Sequence, residues 1–451
     1  MFNLEVLTLS FVFILSTLFF LYQHSSGISW DFSVYVLNAK YMFSEGEYFE
    51  WLRPPLTSFI IGILGIFGWG IAEYLFIIFT SCLFLFSCIK ISKKLRVNKE
   101  IYYLCCMNLY TLAYSFSAGS ELLSLSLLQL FIAYIDEWFS GFFLSLAFLA
   151  RYNNILFFPL IFFQKDKKKI LFCLLTASLT VLPWLAYSFI KTGDPFISLT
   201  DFYLLNIKFR SNLRQPIQLE HFLFVCNYFI LFIIIGFFKF LESRDRMFWI
   251  IGLFMLLTLF SYFLGAFKDK RYLFNLVLPL SYFSSHHYNK KIFHAYILLF
   301  LFSFATAKYF QPLENALPYK KASESLEKCE TRSNAWVFLN YYGFKAGPIP
   351  WKHQVAGMID EGVRFVLFKR IKEPDFGDFW ENFPKIEENE EYFVVGNASF
   401  CKKQEGFSKT YFEQVSEACG IEISRYEAMF SNKKLCESIK YCEEFKQALC
   451  K

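Results

Sequence analysis

Trp30-Asp31-Phe32-Ser33-Val34-Tyr35 and Tyr48-Phe49-Glu50-Trp51-Leu52-Arg53-Pro54-Pro55-Leu56 set a carboxylate and a guanidinium into short polar stretches of a chain otherwise built for lipid. The first stretch follows an apolar run, residues 4–22, close to the length of about 20 residues that crosses a bilayer as a helix. That run lacks a small-residue cleavage site and is read as a retained helix, not a removed leader. Trp30 to Tyr35 is then expected to be a loop at the membrane surface. The composition agrees: 451 residues, 55% hydrophobic, with 61 Phe and only 19% charged, is wrong for a soluble protein.

Further apolar runs lie near 70–90, 101–118, 119–135, 138–150, 153–164, 169–190, 221–240, 247–265, 272–285 and 291–308. With the first run they predict a polytopic α-helical membrane protein of about 11 transmembrane helices. Two of these runs are short, so 138–164 reads as a kinked hairpin with its polar tip, Arg151-Tyr152-Asn153-Asn154, covered by neighbouring helices. Residues 55–68 read as an interfacial or re-entrant helix after Pro54-Pro55.

Lys and Arg collect in short cytoplasmic loops. The clusters Lys90, Lys93, Lys94, Arg96 and Lys99, Lys165 to Lys169, Arg244 and Arg246, and Lys290 and Lys291 mark four such loops. The expected location is the plasma membrane, with the N terminus cytoplasmic. Asp31, Glu121, Arg151, residues 191–214 and residues 268–271 then all face outward. The net charge of +6 sits mostly in the inner loops. It points to membrane lipids as its counterpart and gives no sign of nucleic acid.

Beyond residue 308 no spanning run remains, and residues 309–451 are expected to form an exterior α/β or α+β soluble domain. Ala335 to Leu339, Val363 to Phe368 and Tyr392 to Val395 read as strands, and residues near 313–328, 408–418 and 433–449 as helices. Cys329, Cys401, Cys419, Cys436, Cys442 and Cys450 form an even set suited to disulfides in an exported domain, in any of several pairings. Their spacing does not match a zinc site.

Several stretches, in chain order, resemble one family. They are Asp31 to Tyr35 with Asn38-Ala39-Lys40 and Arg53-Pro54-Pro55-Leu56, then Gly119-Ser120-Glu121-Leu122, then Ala150-Arg151-Tyr152-Asn153. Pro183-Trp184-Leu185-Ala186-Tyr187 with Thr192-Gly193-Asp194-Pro195, and Lys268-Asp269-Lys270-Arg271-Tyr272-Leu273, complete the series. Together they are similar to the GT-C superfamily of polyprenyl-phosphate-dependent glycosyltransferases, close to the protein O-mannosyltransferase and aminoarabinose transferase group. Many relatives carry a second acidic residue directly after the first, where this chain has Phe32.

The resemblance implies transfer of a sugar from a dolichyl- or undecaprenyl-phosphate donor to a protein, lipid or glycan acceptor on the outer face. Such chemistry needs a base for the acceptor and cations for the departing phosphate. Asp31 is the candidate base, with a helix-capping carboxylate as its structural alternative. Glu121 is the second acidic candidate, an ionisable group at the start of a membrane helix and so expensive unless used or paired, with capping of the helix dipole as its structural alternative.

Arg271, Arg53 and Arg151 are the candidates for the donor phosphate, because a guanidinium stays charged and grips phosphate through a planar fork. Lys268 is an assisting candidate, and snorkelling to headgroups is the alternative for each. No metal-ligand set is legible, and Phe32 leaves a divalent cation as an open requirement of the family chemistry. Trp30, Tyr35, Trp51 and Trp184 read as aromatic-belt anchors. A transporter or flippase for a lipid-linked sugar, or a non-catalytic scaffold, are the competing classes, although no internal repeat supports transport.

Overall fold

The structure, a computed structural model, describes residues 4–117, 119–210, 215–242, 245–286, 292–371, 376–404 and 406–450. Arg214, Arg244, Lys290 and Lys291 lie outside the described residues. The chain divides into two compact units. The first comprises Met1–Phe32, Pro54–Leu199 and Leu213–Leu313, and the second Ser33–Arg53, Thr200–Asn212 and Glu314–Lys451.

Six of the expected crossings form long apolar helices in the first unit: Val6–Ser26, Trp69–Leu95, Lys167–Thr192, Leu219–Glu242, Arg246–Leu264 and Phe293–Phe310. Large apolar side chains such as Leu171, Leu179 and Ile190 project from them uncovered, which suits hydrocarbon and would be a liability in water. Shorter apolar pieces lie between, and their breaks have local causes. The run 101–118 splits into Lys99–Cys106 and Leu109–Tyr114 because Asn108 caps a new helix, accepting from the Thr111 N–H at 3.1 Å. The run 153–164 is a 3-10 helix, Tyr152–Phe163, with Pro159 inside it. At about 2.0 Å rise per residue such a helix reaches further than an α-helix of equal length. The piece after Pro54 is the helix Pro55–Leu64 with a 3-10 turn at Gly65–Phe67.

One end of the first unit collects basic side chains around Asp136. Asp136 pairs with Lys94 at 2.6 Å and Arg246 at 2.7 Å, while Lys169 donates to its backbone carbonyl at 2.6 Å. Partial burial works against the charge of Asp136, yet hydrogen bonds from Lys94 and Arg246 hold its carboxyl below the ordinary range. The helix Trp69–Leu95 carries Lys94 near its end and Glu73 in its second turn, where Glu73 meets His24 at 2.9 Å. Its 27 residues separate those ends by about 40 Å at 1.5 Å per residue. Three basic clusters therefore share one end, and His24 marks the other. Helices also meet closely at Gly141, where a Cβ would strike the Cys173 carbonyl, and at Gly236, where it would strike that of Phe283.

The second unit holds a five-stranded sheet in the order β2-β1-β3-β5-β4. Its strands are β1 (Thr331–Ser333), β2 (Gly347–Pro348), β3 (Arg364–Phe368), β4 (Lys385–Glu388) and β5 (Tyr392–Val395). β1 runs parallel to β2 and β3, while β5 is antiparallel to β3 and β4. Val355, Ile359, Val363, Phe365, Leu367, Trp380 and Val395 form a core against it. The expected strand Ala335 to Leu339 is instead part of a helix, Trp336–Tyr341, with Val337, Phe338 and Leu339 all buried. A short run that is apolar on every side reads the same in a buried strand and a buried helix. Disulfides join Cys329 to Cys401, Cys419 to Cys442 and Cys436 to Cys450.

Two segments from between the spans belong to this second unit. Asn38 and Glu50 exchange hydrogen bonds of 2.9 and 3.0 Å, and the Trp336 indole donates to Tyr48 Oη at 3.0 Å. Asp201 is fully buried and accepts from the Tyr411 and Phe412 N–H groups, both at 2.8 Å, at the start of the helix Tyr411–Cys419. Leu204 and Phe209 pack with Phe412 and Val415. Burial pushes the Asp201 carboxyl up to about 6, against those two N–H groups and Arg425.

The folded state thus holds this proton more tightly than the unfolded chain. Its stabilising effect is complete below about pH 4 and falls by up to about 3 kcal/mol as pH rises through about 6. Asp201→Asn should flatten that part of the stability profile, measured by thermal unfolding of the full-length protein in detergent from pH 4 to 7. An unaltered slope would reassign the titration to another group.

Candidate functional site

Asp31 lies in the first turn of a helix, Trp30–Met42, where the expectation was a loop. The helix starts here because the Ser29 hydroxyl accepts from the Phe32 N–H at 3.5 Å, and a carboxylate in the first turn complements the helix dipole. Phe32 packs over Gly119, whose φ of +77° and missing side chain make room for the ring. The position directly after Asp31 is therefore filled by a buried packing residue.

Arg271 comes from far along the chain, on the 3-10 turn Lys270–Leu276. Asp269 caps that turn, accepting from the Arg271 N–H at 2.9 Å, and Tyr110 Oη donates to the Lys270 carbonyl at 2.5 Å. So fixed, the Arg271 guanidinium forms an ion pair with Asp31, and its Nε lies 3.5 Å from Asp269. The charge of Asp31 raises the Arg271 pKa despite the burial that opposes it, so the guanidinium is held charged.

Glu121 begins the helix Glu121–Ala133 and is fully buried. Arg151, at the extended break between Ser140–Ala150 and Tyr152–Phe163, reaches it at 2.6 Å. Arg151 and Arg271 both line a narrow cleft, together with Asn153, Asn154, Tyr272 and Asn275. The structure thus brings Asp31 to Arg271 and Glu121 to Arg151, and sets both guanidinium groups on one cleft wall.

The other two candidates are engaged elsewhere. Lys268 is buried and directs its ammonium at the carbonyls of Tyr262, Phe263 and Gly265, at 2.7, 2.9 and 2.5 Å. It closes the C-terminal end of the helix Arg246–Leu264, where cations are favoured. Arg53 belongs to the second unit, where its Nε pairs with Glu50 at 3.1 Å and Glu50 accepts from Tyr48 Oη at 2.5 Å. Tyr35, Trp51 and Trp184 are buried and do not form a belt; the Trp184 indole donates to Tyr152 Oη at 3.1 Å.

Among the described residues, one group of three metal-type side chains converges, Glu327 with Cys329 and Cys401. Those two sulfurs are joined in a disulfide and so lack the thiolate a metal requires. Near the cleft, Asp31 and Asp269 both face Arg271, which already supplies positive charge. Among the described residues, those at the cleft do not fit a divalent cation. Asn154 and Asn275 are functional candidates that the motifs did not single out. The signal for Asn154 was a pair of amides, Asn153-Asn154, inside an otherwise apolar run; Asn275 had none.

No family model matches the chain, and no curated protein matches it. Among solved structures, it is similar to ArnT from Cupriavidus metallidurans bound to undecaprenyl phosphate. That match covers 87% of this chain and 97% of the other, with a TM-score of 0.58 at 10% identity. The same protein in the apo state covers 84% and 95%, with a TM-score of 0.56 at 9% identity. The chain therefore shares its overall fold with this protein: mostly helical, with six long apolar helices among the described residues and a sheet in the C-terminal segment.

Glu121→Gln leaves the buried Arg151 guanidinium without its counter-charge and should lower stability by roughly 3 to 5 kcal/mol. The double variant Glu121→Gln with Arg151→Met should recover part of that loss in the same unfolding measurement. A single variant as stable as the parent would show that water reaches the pair.

Proposed function

We propose that the chain is a membrane glycosyltransferase that moves a sugar from a polyprenyl-phosphate donor to an acceptor hydroxyl or amine. The observation that carries this reading is the ion pair of Asp31 with Arg271, residues far apart in the sequence, where Arg271 also lines a cleft with Arg151. The likeness in fold to ArnT bound to undecaprenyl phosphate supports it.

In this reading the donor phosphate enters beside Arg271 and Arg151 and takes up guanidinium N–H groups not turned to Asp31 and Glu121. As Arg271 shifts its hydrogen bonds toward phosphate, a lone pair of Asp31 becomes available to the acceptor. Asp31 takes the acceptor proton, the acceptor attacks the anomeric carbon, and the bond from that carbon to the phosphate oxygen breaks. The departing polyprenyl phosphate carries the electron pair, which the two guanidinium groups stabilise. A single displacement of this kind inverts the anomeric centre.

Glu121 holds Arg151 and touches no reacting atom, Lys268 acts as a helix cap, and Arg53 stabilises the second unit. The basic clusters at the Asp136 end face the cytoplasm, and Asp31 faces outward. The three disulfides of the C-terminal segment support its export to an oxidising compartment.

With purified, folded protein and radiolabelled polyprenyl-phosphate sugars, Asp31→Asn, in which Asp269 still faces Arg271, should lower kcat by about 10²- to 10⁴-fold. Arg271→Ala should weaken donor binding and lower kcat by about 10²-fold or more. Transfer at the parental rate by Asp31→Asn would remove Asp31 as the base. Donor affinity unchanged in Arg271→Ala would remove the phosphate assignment.

A further inference from the structure

Glu121, Arg151 and Arg271 project from three separate segments of the first unit, and about one turn beyond each lies a small polar residue: Ser124, Asn154 and Asn275. These three form one hydrogen-bonded chain. Asn154 Nδ2 donates to Ser124 Oγ at 2.7 Å and to the Ala147 carbonyl at 2.7 Å, and Asn154 Oδ1 accepts from Asn275 Nδ2 at 3.2 Å. Both donors of the Asn154 amide are used, and both Ser124 and Asn154 are buried.

We infer that Ser124, Asn154 and Asn275 are positioning residues. They set the register of the three segments and thereby the separation of the Arg151 and Arg271 guanidinium groups that a donor phosphate meets. The inference rests on the donor reading proposed above.

The physical argument concerns what else could fix that register. Around the ladder the segments present mainly Leu, Phe and Ile, whose contacts are non-directional and barely resist a small slide along a helix axis. A hydrogen bond is directional, and in a water-poor bundle an amide that loses its partner is costly. The ladder ties Glu121–Ala133 to the Tyr152–Phe163 helix through Ser124, to Ser140–Ala150 through the Ala147 carbonyl, and to the Lys270–Leu276 turn through Asn275. It runs beside the Glu121 to Arg151 ion pair, so two rows one turn apart fix both translation and rotation. Asn154 and Asn275 border the same cleft as the two arginines, whereas Ser124 does not. A fork of guanidinium donors grips phosphate only where its geometry is held.

The test measures binding of undecaprenyl phosphate and of undecaprenol to the full-length protein in detergent, beside its unfolding temperature. The wild type should prefer the phosphate. Asn275→Leu and Ser124→Ala should each reduce that preference about threefold or more, the worth of a lost hydrogen bond, while undecaprenol binding stays unchanged. Ser124→Ala is the decisive variant, because it is small enough to fold and stands away from the cleft.

A retained preference in both variants would overturn the ladder. So would an equal fall in binding of both lipids, the mark of a general loss of structure. A wild type that does not discriminate the phosphate from the alcohol would overturn the donor reading itself.

Discussion

A guanidinium placed among membrane helices must be neutralised before it can serve any other purpose. Desolvation of an unpaired charge costs several kcal/mol, and the surrounding hydrocarbon offers nothing in return. Arg151 and Arg271 meet that constraint with separate carboxylates, Glu121 and Asp31. The arrangement of the bundle follows from it. The helix begun by Glu121 must lie against the break at Arg151, and the turn bearing Arg271 must reach the first turn of Trp30–Met42. Under the proposed function, an anion entering the cleft meets cations already oriented and competes by sharing hydrogen bonds, not by filling a charge vacuum.

The apolar residue beside Asp31, Phe32, has a reason in the same setting. The ring occupies the space over Gly119, directly before the residues that lead to Glu121. His24 contacts the same ring edge-on at 5.0 Å. A second carboxylate at this position would sit in that apolar contact beside Asp31, where like charges disfavour one another. One carboxylate and one packing ring therefore share the work of holding the first turn.

Much of the membrane architecture was legible because bilayer thickness imposes a length on apolar runs: six of the expected crossings became long helices. The sequence failed where local chemistry outweighs length. Asn108 restarts a helix, Pro159 sits in a 3-10 segment, and the all-apolar Val337 to Leu339 gives no period to read. At the site, residue type and order pointed to Asp31, Arg271, Glu121 and Arg151. Which acid would meet which base was beyond one sequence, since Asp31 and Arg271 lie 240 residues apart. Lys268 shows the converse limit. Its position in a family-like motif suggested phosphate, while three nearby carbonyls, from Tyr262, Phe263 and Gly265, claim its ammonium.

The last two disulfides interlace. Cys436 and Cys442 are nearer to each other in sequence than either is to its partner, yet Cys442 joins Cys419 and Cys436 joins Cys450. Loop-closure entropy alone favours the short pairing. An oxidant acting on an unfolded tail would therefore produce the wrong isomer first, and reaching the native one requires thiol exchange after the helix Tyr411–Cys419 has formed. Formation of the native tail is then favoured where a disulfide isomerase can reshuffle the early pairings.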